Sequence, residues 1–222
     1  MAEGSLMQRR GILCVVSGPS GSGKTTFCRA MSERDRHCVY SISCTTRAPR
    51  PHEVDGIDYH FVSESEFSER AMRGDFLEYA RVHGRGYGTL KSWVLDHLAG
   101  GRDVLMDIDT QGAELIRKCE DALIQTSLVD VFILPPSIEE LRRRLFGRAT
   151  ESDDQMALRL TNALDEMSHW REYAYTIVSA SKDHDLDQFA GIVGAERCRT
   201  RLLTPTRTPG ATAEQAELFE LL

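Results

Sequence analysis

The chain has no stretch approaching the roughly 18–20 consecutive apolar residues of a membrane-spanning helix. Its longest early apolar run, Ile12-Leu13-Cys14-Val15-Val16, is also too short for a secretory leader. Neither a membrane span nor export is expected. The six cysteines (14, 28, 38, 44, 119, 198) form no Cys-x-x-Cys pair, and the seven histidines show no His-x-x-x-His spacing. A disulfide framework and a protein-built metal cage are therefore not expected, and free thiols point to a reducing, cytoplasmic compartment. Basic residues are the scarcer charge, 27 Lys and Arg against 34 Asp and Glu, for a net charge of −7. Such a chain is a poor non-specific binder of nucleic acid or anionic membrane, so any basic residues serving an anionic ligand must be concentrated locally. Disorder, a collagen and a coiled-coil rod are excluded by a composition of 41% hydrophobic and 27% charged residues. A length of 222 residues suits one α/β domain with small insertions.

What is present is an alternation. Short apolar, β-branched runs at Gly11–Ser17, Cys38–Ser43, Val104–Ile108, Leu128–Leu134 and Tyr175–Ser179 predict buried parallel strands. Helical patterns lie between most of them, the clearest being Met156, Leu160, Ala163, Leu164 and Met167 on one face. The expected fold is α/β, a parallel sheet flanked by helices. Two segments interrupt it. Residues 44–90 hold turn residues and strand candidates at Tyr59–Val62, Phe76–Val82 and Arg85–Thr89, which predicts a small β-rich insertion. Residues 135–170 are helical and arginine-rich and read as a flap. The core is then 11–43, 91–134 and 171–204, with a frayed start over 1–10 and a tail over 205–222. That tail holds a Pro/Thr linker and one or two helical turns from Ala211 to Leu222, free to dock, to pair with another subunit or to stay unstructured.

Gly18-Pro19-Ser20-Gly21-Ser22-Gly23-Lys24-Thr25 fits the phosphate-binding pattern G-x-x-x-x-G-K-[ST] in full, between an apolar strand and a helix expected over Thr25–Ser32. Glycines let backbone N–H groups converge on phosphate oxygens, and the helix N-terminus adds partial positive charge. Lys24 would bridge the β- and γ-phosphates, and the Thr25 hydroxyl would coordinate Mg²⁺. The run Val104–Asp109 ends in carboxylates, of which Asp107 would reach the Mg²⁺ through water. Further on, Arg47 and Arg50 stand beside a proline turn, with Tyr59 following. Two guanidiniums and a phenol suit a phosphate dianion, although the same residues would also make an ordinary solvated loop.

Several motifs then stand in one order: Ser43-x-x-x-Arg47-x-x-Arg50 with Thr45 and Thr46 inside it, Gly56-x-Asp58-Tyr59-x-Phe61, Phe76-Leu77-Glu78, Tyr87-Gly88-Thr89, and Asp107-Ile108-Asp109-x-Gln111-Gly112. In this register the chain resembles the guanylate kinases over about residues 11–190. The resemblance implies a P-loop NTPase-type sheet, a GMP-binding insertion over 44–90 and a lid over 135–170. It also implies Mg²⁺-dependent transfer of the ATP γ-phosphoryl group to GMP, or dGMP, in purine nucleotide metabolism. By motif position Arg47, Arg50, Tyr59 and Tyr87 would hold the GMP phosphate, Ser43, Glu78, Thr89 and Asp109 would surround the guanine, and Asp107 would also belong to the GMP site. Glu78 can accept from guanine N1–H and N2–H₂, whereas adenine offers an acceptor at N1. Lys24, Arg144, Arg148 and Arg159 would act on the transferring group, with Arg142 and Arg143 on a solvated face.

The chain departs from the family pattern near its C-terminus, where Ser179 stands in place of an Asn near the adenine. Three rivals remain to be separated. Another nucleoside-monophosphate kinase lacks the guanine-reading set. A catalytically silent phosphopeptide-binding relative would show a degraded cradle, and here Gly18, Gly23, Lys24 and Thr25 are intact. A nucleic-acid-binding P-loop protein conflicts with the charge. Monomer and homodimer are both compatible with the sequence.

Overall fold

The alternation of apolar runs is realised as a layered α/β architecture, in a computed structural model that describes residues 7–82, 84–146 and 153–205. In chain order the elements are β1 (Met7–Arg9), β2 (Leu13–Ser17), α1 (Lys24–Arg34), β3 (Cys38–Tyr40), β4 (Cys44–Thr45), β5 (His60–Phe61) and α2 (Glu64–Arg73). There follow β6 (Phe76–Val82), β7 (Arg85–Leu90), α3 (Lys91–Ala99), β8 (Asp103–Asp107), α4 (Thr110–Arg117), α5 (Ala122–Ser127) and β9 (Leu128–Leu134). The last are α6 (Ile138–Phe146), α7 (Asp153–Ser168), β10 (Tyr175–Val178), α8 (Lys182–Glu196) and β11 (Leu203–Pro205).

The main sheet has the order β10-β9-β2-β8-β3, and every pairing in it is parallel. Strand β2 is central and buried along its whole length. Its side chains alternate between two cores, as the pleat requires. Cys14 and Val16 join Phe27, Cys28 and Met31 of α1 and Phe189 and Val193 of α8. Leu13 and Val15 join Val94 and Leu98 of α3 and Ala113 and Ile116 of α4. Parallel strands direct all their C-terminal ends to one edge, where the loops after β2 and β8 meet.

The insertion forms its own sheet, β5-β4-β7-β6, packed on Phe67 and Phe76. It also contains helix α2, which the strand-based reading passed over. Its signal was present: Ser63 caps the Glu66 N–H at 3.1 Å, and Gly74 closes the helix at φ 73°. The start of the chain needs a second correction. Met7–Arg9 is not frayed but pairs antiparallel with Leu203–Pro205, bringing the two ends together. The predicted strand Cys38–Ser43 stops at Tyr40, and the chain then crosses to the second sheet at Cys44. In the flap, Leu160, Ala163 and Met167 pack on Leu141 and Leu145 as expected, but Leu164 is exposed. The Met156 side chain, Arg148 and the proposed terminal helix lie outside the described residues.

Candidate active site

The cradle joins β2 to α1. Gly23 precedes the helix at φ 89°, a conformation that suits glycine. A Cβ on Gly18 would lie 2.4 Å from the Ile133 carbonyl oxygen, so the loop fits against β9 only with glycine there. No side chain caps α1, which leaves its first-turn N–H groups for an anion. The Thr25 hydroxyl donates to Asp107 Oδ2 at 2.5 Å, and the Tyr40 phenol donates to Asp107 Oδ1 at 2.5 Å. Lys24 Nζ turns back to the Gly18 and Pro19 carbonyls at 2.7 and 3.3 Å. Burial pulls its pKa below the ordinary lysine range, opposed by the carboxylates of Glu166, Asp107 and Asp109.

Of the residues expected to read the acceptor, Ser43, Tyr59, Glu78, Tyr87, Asp107 and Asp109 line one cavity of about 150 Å³. Asp58 and Ile108, which the motifs contain without an assigned role, also line it, as does Tyr40, to which no motif pointed. Glu78 is 8% exposed and accepts the Thr89 hydroxyl at 2.8 Å. Burial pushes its carboxyl up to about 7, partly offset by Thr89 and reinforced by the Asp109 charge. Thr89 therefore stands beside the carboxylate, with Ser43 Oγ 3.4 Å from its hydroxyl. Asp109 does double duty: it lines the cavity and caps α4 by accepting from Gly112 N at 2.8 Å. Arg47 makes two 2.8 Å bonds to Glu53, and its guanidinium lies 5.2 Å from the Tyr59 ring centroid. Arg50 is exposed, but its backbone N–H reaches the same carboxylate at 2.8 Å and its side chain lies 3.9 Å away. The Arg47 hydrogen bonds, aided by the Arg50 N–H, hold the Glu53 carboxyl down to about 2. This arginine loop thus already grips a two-oxygen anion.

A family model described as guanylate kinase matches residues 10–196. A guanylate kinase of Paramagnetospirillum magneticum is 49% identical over 87% of this chain and 88% of its own length. One from Thermotoga maritima is 42% identical over 86% and 89%. The chain belongs to the guanylate kinase family. The crystal structure of a guanylate kinase from Anaplasma phagocytophilum agrees in fold, with a TM-score of 0.72 at 33% identity over 89% of this chain and 92% of that one.

In this guanylate kinase-family chain, α6 and α7 stand over the cradle. Arg144 donates to Glu140 at 2.7 Å and lines a second cavity of about 300 Å³ together with Gly21, Ser22, Gly23, Ser179 and Asp185. The Ser179 hydroxyl donates to Asp185 at 2.7 Å, and the Ala180 N–H donates to the other oxygen at 2.9 Å. The buried Ser22 hydroxyl, by contrast, has no hydrogen-bond partner among the described residues. Arg159 is exposed on α7, and Arg142 and Arg143 are exposed on α6, Arg143 being paired with Glu140. Glu166, on α7, was not anticipated: its carboxylate accepts the Ser20 N–H of the cradle at 2.8 Å.

The donor set fits Mg²⁺. Thr25 and Asp107 offer hard oxygens at one point, and Mg²⁺ keeps several waters and takes phosphate oxygens rather than an all-protein cage. Among the described residues no group of three or more His, Cys, Asp or Glu gathers elsewhere for a metal.

Proposed function

We propose that residues 11–43, 91–134 and 171–204 bind Mg²⁺–ATP, that 44–90 bind GMP, and that 135–170 close over both as a lid. Membership of the guanylate kinase family makes the reaction an ATP-dependent phosphorylation of GMP to GDP. The observation that supports this division of labour is Asp107. One of its oxygens meets Thr25 of the phosphate cradle, and the same side chain lines the cavity that holds Glu78. Donor and acceptor sites therefore share a wall.

The cradle from Gly18 to Thr25 would hold the ATP phosphates, and the cavity beside Ser179 would take the adenosine. Thr25, with Asp107 through water, would hold Mg²⁺, which when bound offsets charge on the β- and γ-phosphates. Arg47 and Arg50 would exchange Glu53 for the GMP phosphate, with Tyr59 and Tyr87 as further donors to it. Glu78 would accept from guanine N1–H and N2–H₂, with Ser43, Thr89 and Asp109 completing the edge. The attacking phosphate oxygen needs no general base, because the second pKa of a phosphomonoester is about 6. Lys24, Arg144, Arg148 and Arg159 would stabilise charge on the moving phosphoryl group while the closed lid excludes water. These residues address base and phosphates, so dGMP is expected to serve as well.

No helix of the described residues is long and apolar enough to cross a membrane. A cytoplasmic enzyme of purine nucleotide metabolism is the reading we favour. A coupled assay of ADP release with Mg²⁺–ATP tests it across GMP, dGMP, AMP, UMP and dTMP. Turnover confined to GMP and dGMP is expected; equal turnover with AMP would overturn the role of Glu78.

A further inference from the structure

Tyr40 belongs to none of the motifs, yet its phenol stands between the two halves of the site. It ends β3, the edge strand beside β8. Its hydroxyl holds Asp107 Oδ1 at 2.5 Å while Thr25 holds Oδ2 at 2.5 Å. A carboxylate otherwise turns readily, because its last torsion has a broad profile. With a different donor on each oxygen, that rotation is lost. The Tyr40 ring is itself held. The Arg29 guanidinium lies 4.9 Å from its centroid and reaches Asp58 at 3.2 Å and the Ile57 carbonyl at 3.5 Å, both in the insertion. Tyr40 and Asp58 line the same cavity as Glu78.

We infer that Tyr40 is a positioning residue for phosphoryl transfer: its hydroxyl aims the Asp107 carboxylate at Thr25, and Arg29 ties that aim to the insertion. Asp107 is the group that acts, and Tyr40 acts through it. The inference rests on the function proposed above. It differs from a packing role because the ring alone would fill the space, whereas only the hydroxyl orients the carboxylate. Second-layer donors of this kind set the orientation and basicity of metal-facing carboxylates.

Tyr40→Phe keeps the ring and the Arg29 stack and removes only the hydroxyl. The full chain is loaded with a non-hydrolysable ATP analogue and titrated with Mn²⁺, bound metal being read by electron paramagnetic resonance. We expect the Mn²⁺ dissociation constant to rise about tenfold and kcat to fall by a similar factor. The Tm should stay at the wild-type value. Wild-type Mn²⁺ affinity in the variant overturns the role, as does a loss confined to Tm. Wild-type protein that makes no GDP overturns the parent function and this role together. Wild-type protein that makes GDP beside a variant of unchanged metal affinity overturns this role alone.

Discussion

Glu166 Oε2 accepts the Ser20 backbone N–H at 2.8 Å, so a carboxylate of helix α7 rests on the phosphate cradle. That amide is one of the donors an ATP phosphate would use, and while burial lowers the Lys24 pKa, the Glu166 charge is the strongest of those that oppose it. Carboxylate and triphosphate compete for one anion site. Glu166→Gln removes the charge and keeps the shape. We expect the KM for ATP to fall about threefold, since an anion bound to a cradle of this kind is displaced at a cost of order 1 kcal/mol. The KM for GMP should be unchanged. An ATP KM equal to or above that of the wild type would refute the competition.

Glu78 makes the acceptor site pH-dependent. Burial raises its folded-state value to about 7, against 4.5 in an unfolded chain. The protonated form is therefore favoured by folding, and the ligand-free protein loses stability as pH rises from about 4.5 through 7. Guanine donates to the carboxylate, so GMP affinity moves the other way and strengthens as pH rises towards 7. Melting curves and GMP calorimetry at pH 5, 6, 7 and 8 (roughly one unit apart, to bracket the titration) check both slopes. In Glu78→Gln the Glu78-dependent part of each slope should vanish, the titration of the GMP phosphate remaining in the calorimetric one. Glu78→Ala should raise the GMP KM on the order of 10²-fold and leave the ATP KM nearly unchanged.

Lys24 belongs to the cradle and opens α1, and Arg144 of α6 lines the cavity beside Gly21, Ser22 and Gly23. Neither belongs to the buried apolar cores. Lys24→Ala and Arg144→Ala should each lower kcat by about 10²–10⁴-fold, with a Tm close to wild type. Steady-state kinetics paired with calorimetry separates the two effects. Full turnover in either variant would remove that residue from the mechanism.

Asp103 is fully buried and bound on three sides, by Arg9 at 2.6 Å, by Arg197 at 2.6 Å and by the Ile12 N–H at 3.0 Å. It joins Arg9, at the end of β1, and Arg197, just after α8, to the start of β8. Removing one member strands buried charge, which is the costly direction. Asp103→Ala should lower unfolding stability by about 3–5 kcal/mol in urea titration, with both KM values unchanged. A loss below about 1 kcal/mol would place the cluster with ordinary surface pairs.

Much of this molecule was legible in one dimension. The cradle is a contiguous run whose geometry follows from glycine placement, and the strand before it is apolar from Leu13 to Val16 because both faces of a parallel sheet are covered. Phe76–Val82 was readable as a strand from its aromatic residues and the glycines on either side of it. Residues that act across the fold were not readable. Tyr40 and Asp107 are 67 positions apart and meet only because β3 pairs with β8. Ser20 and Glu166 are 146 apart and meet only because α7 folds back over the loop. Met7–Arg9, polar and unremarkable alone, became a strand because Leu203–Pro205 returned beside it. The strand pattern and the contiguous cradle motif were legible because they depend on neighbours along the chain, and the acceptor chemistry was what the resemblance to guanylate kinases implied. Which carboxylate each donor holds was settled by the packing of the sheet, because a hydrogen bond depends on distance in space and carries no mark in the order of residues.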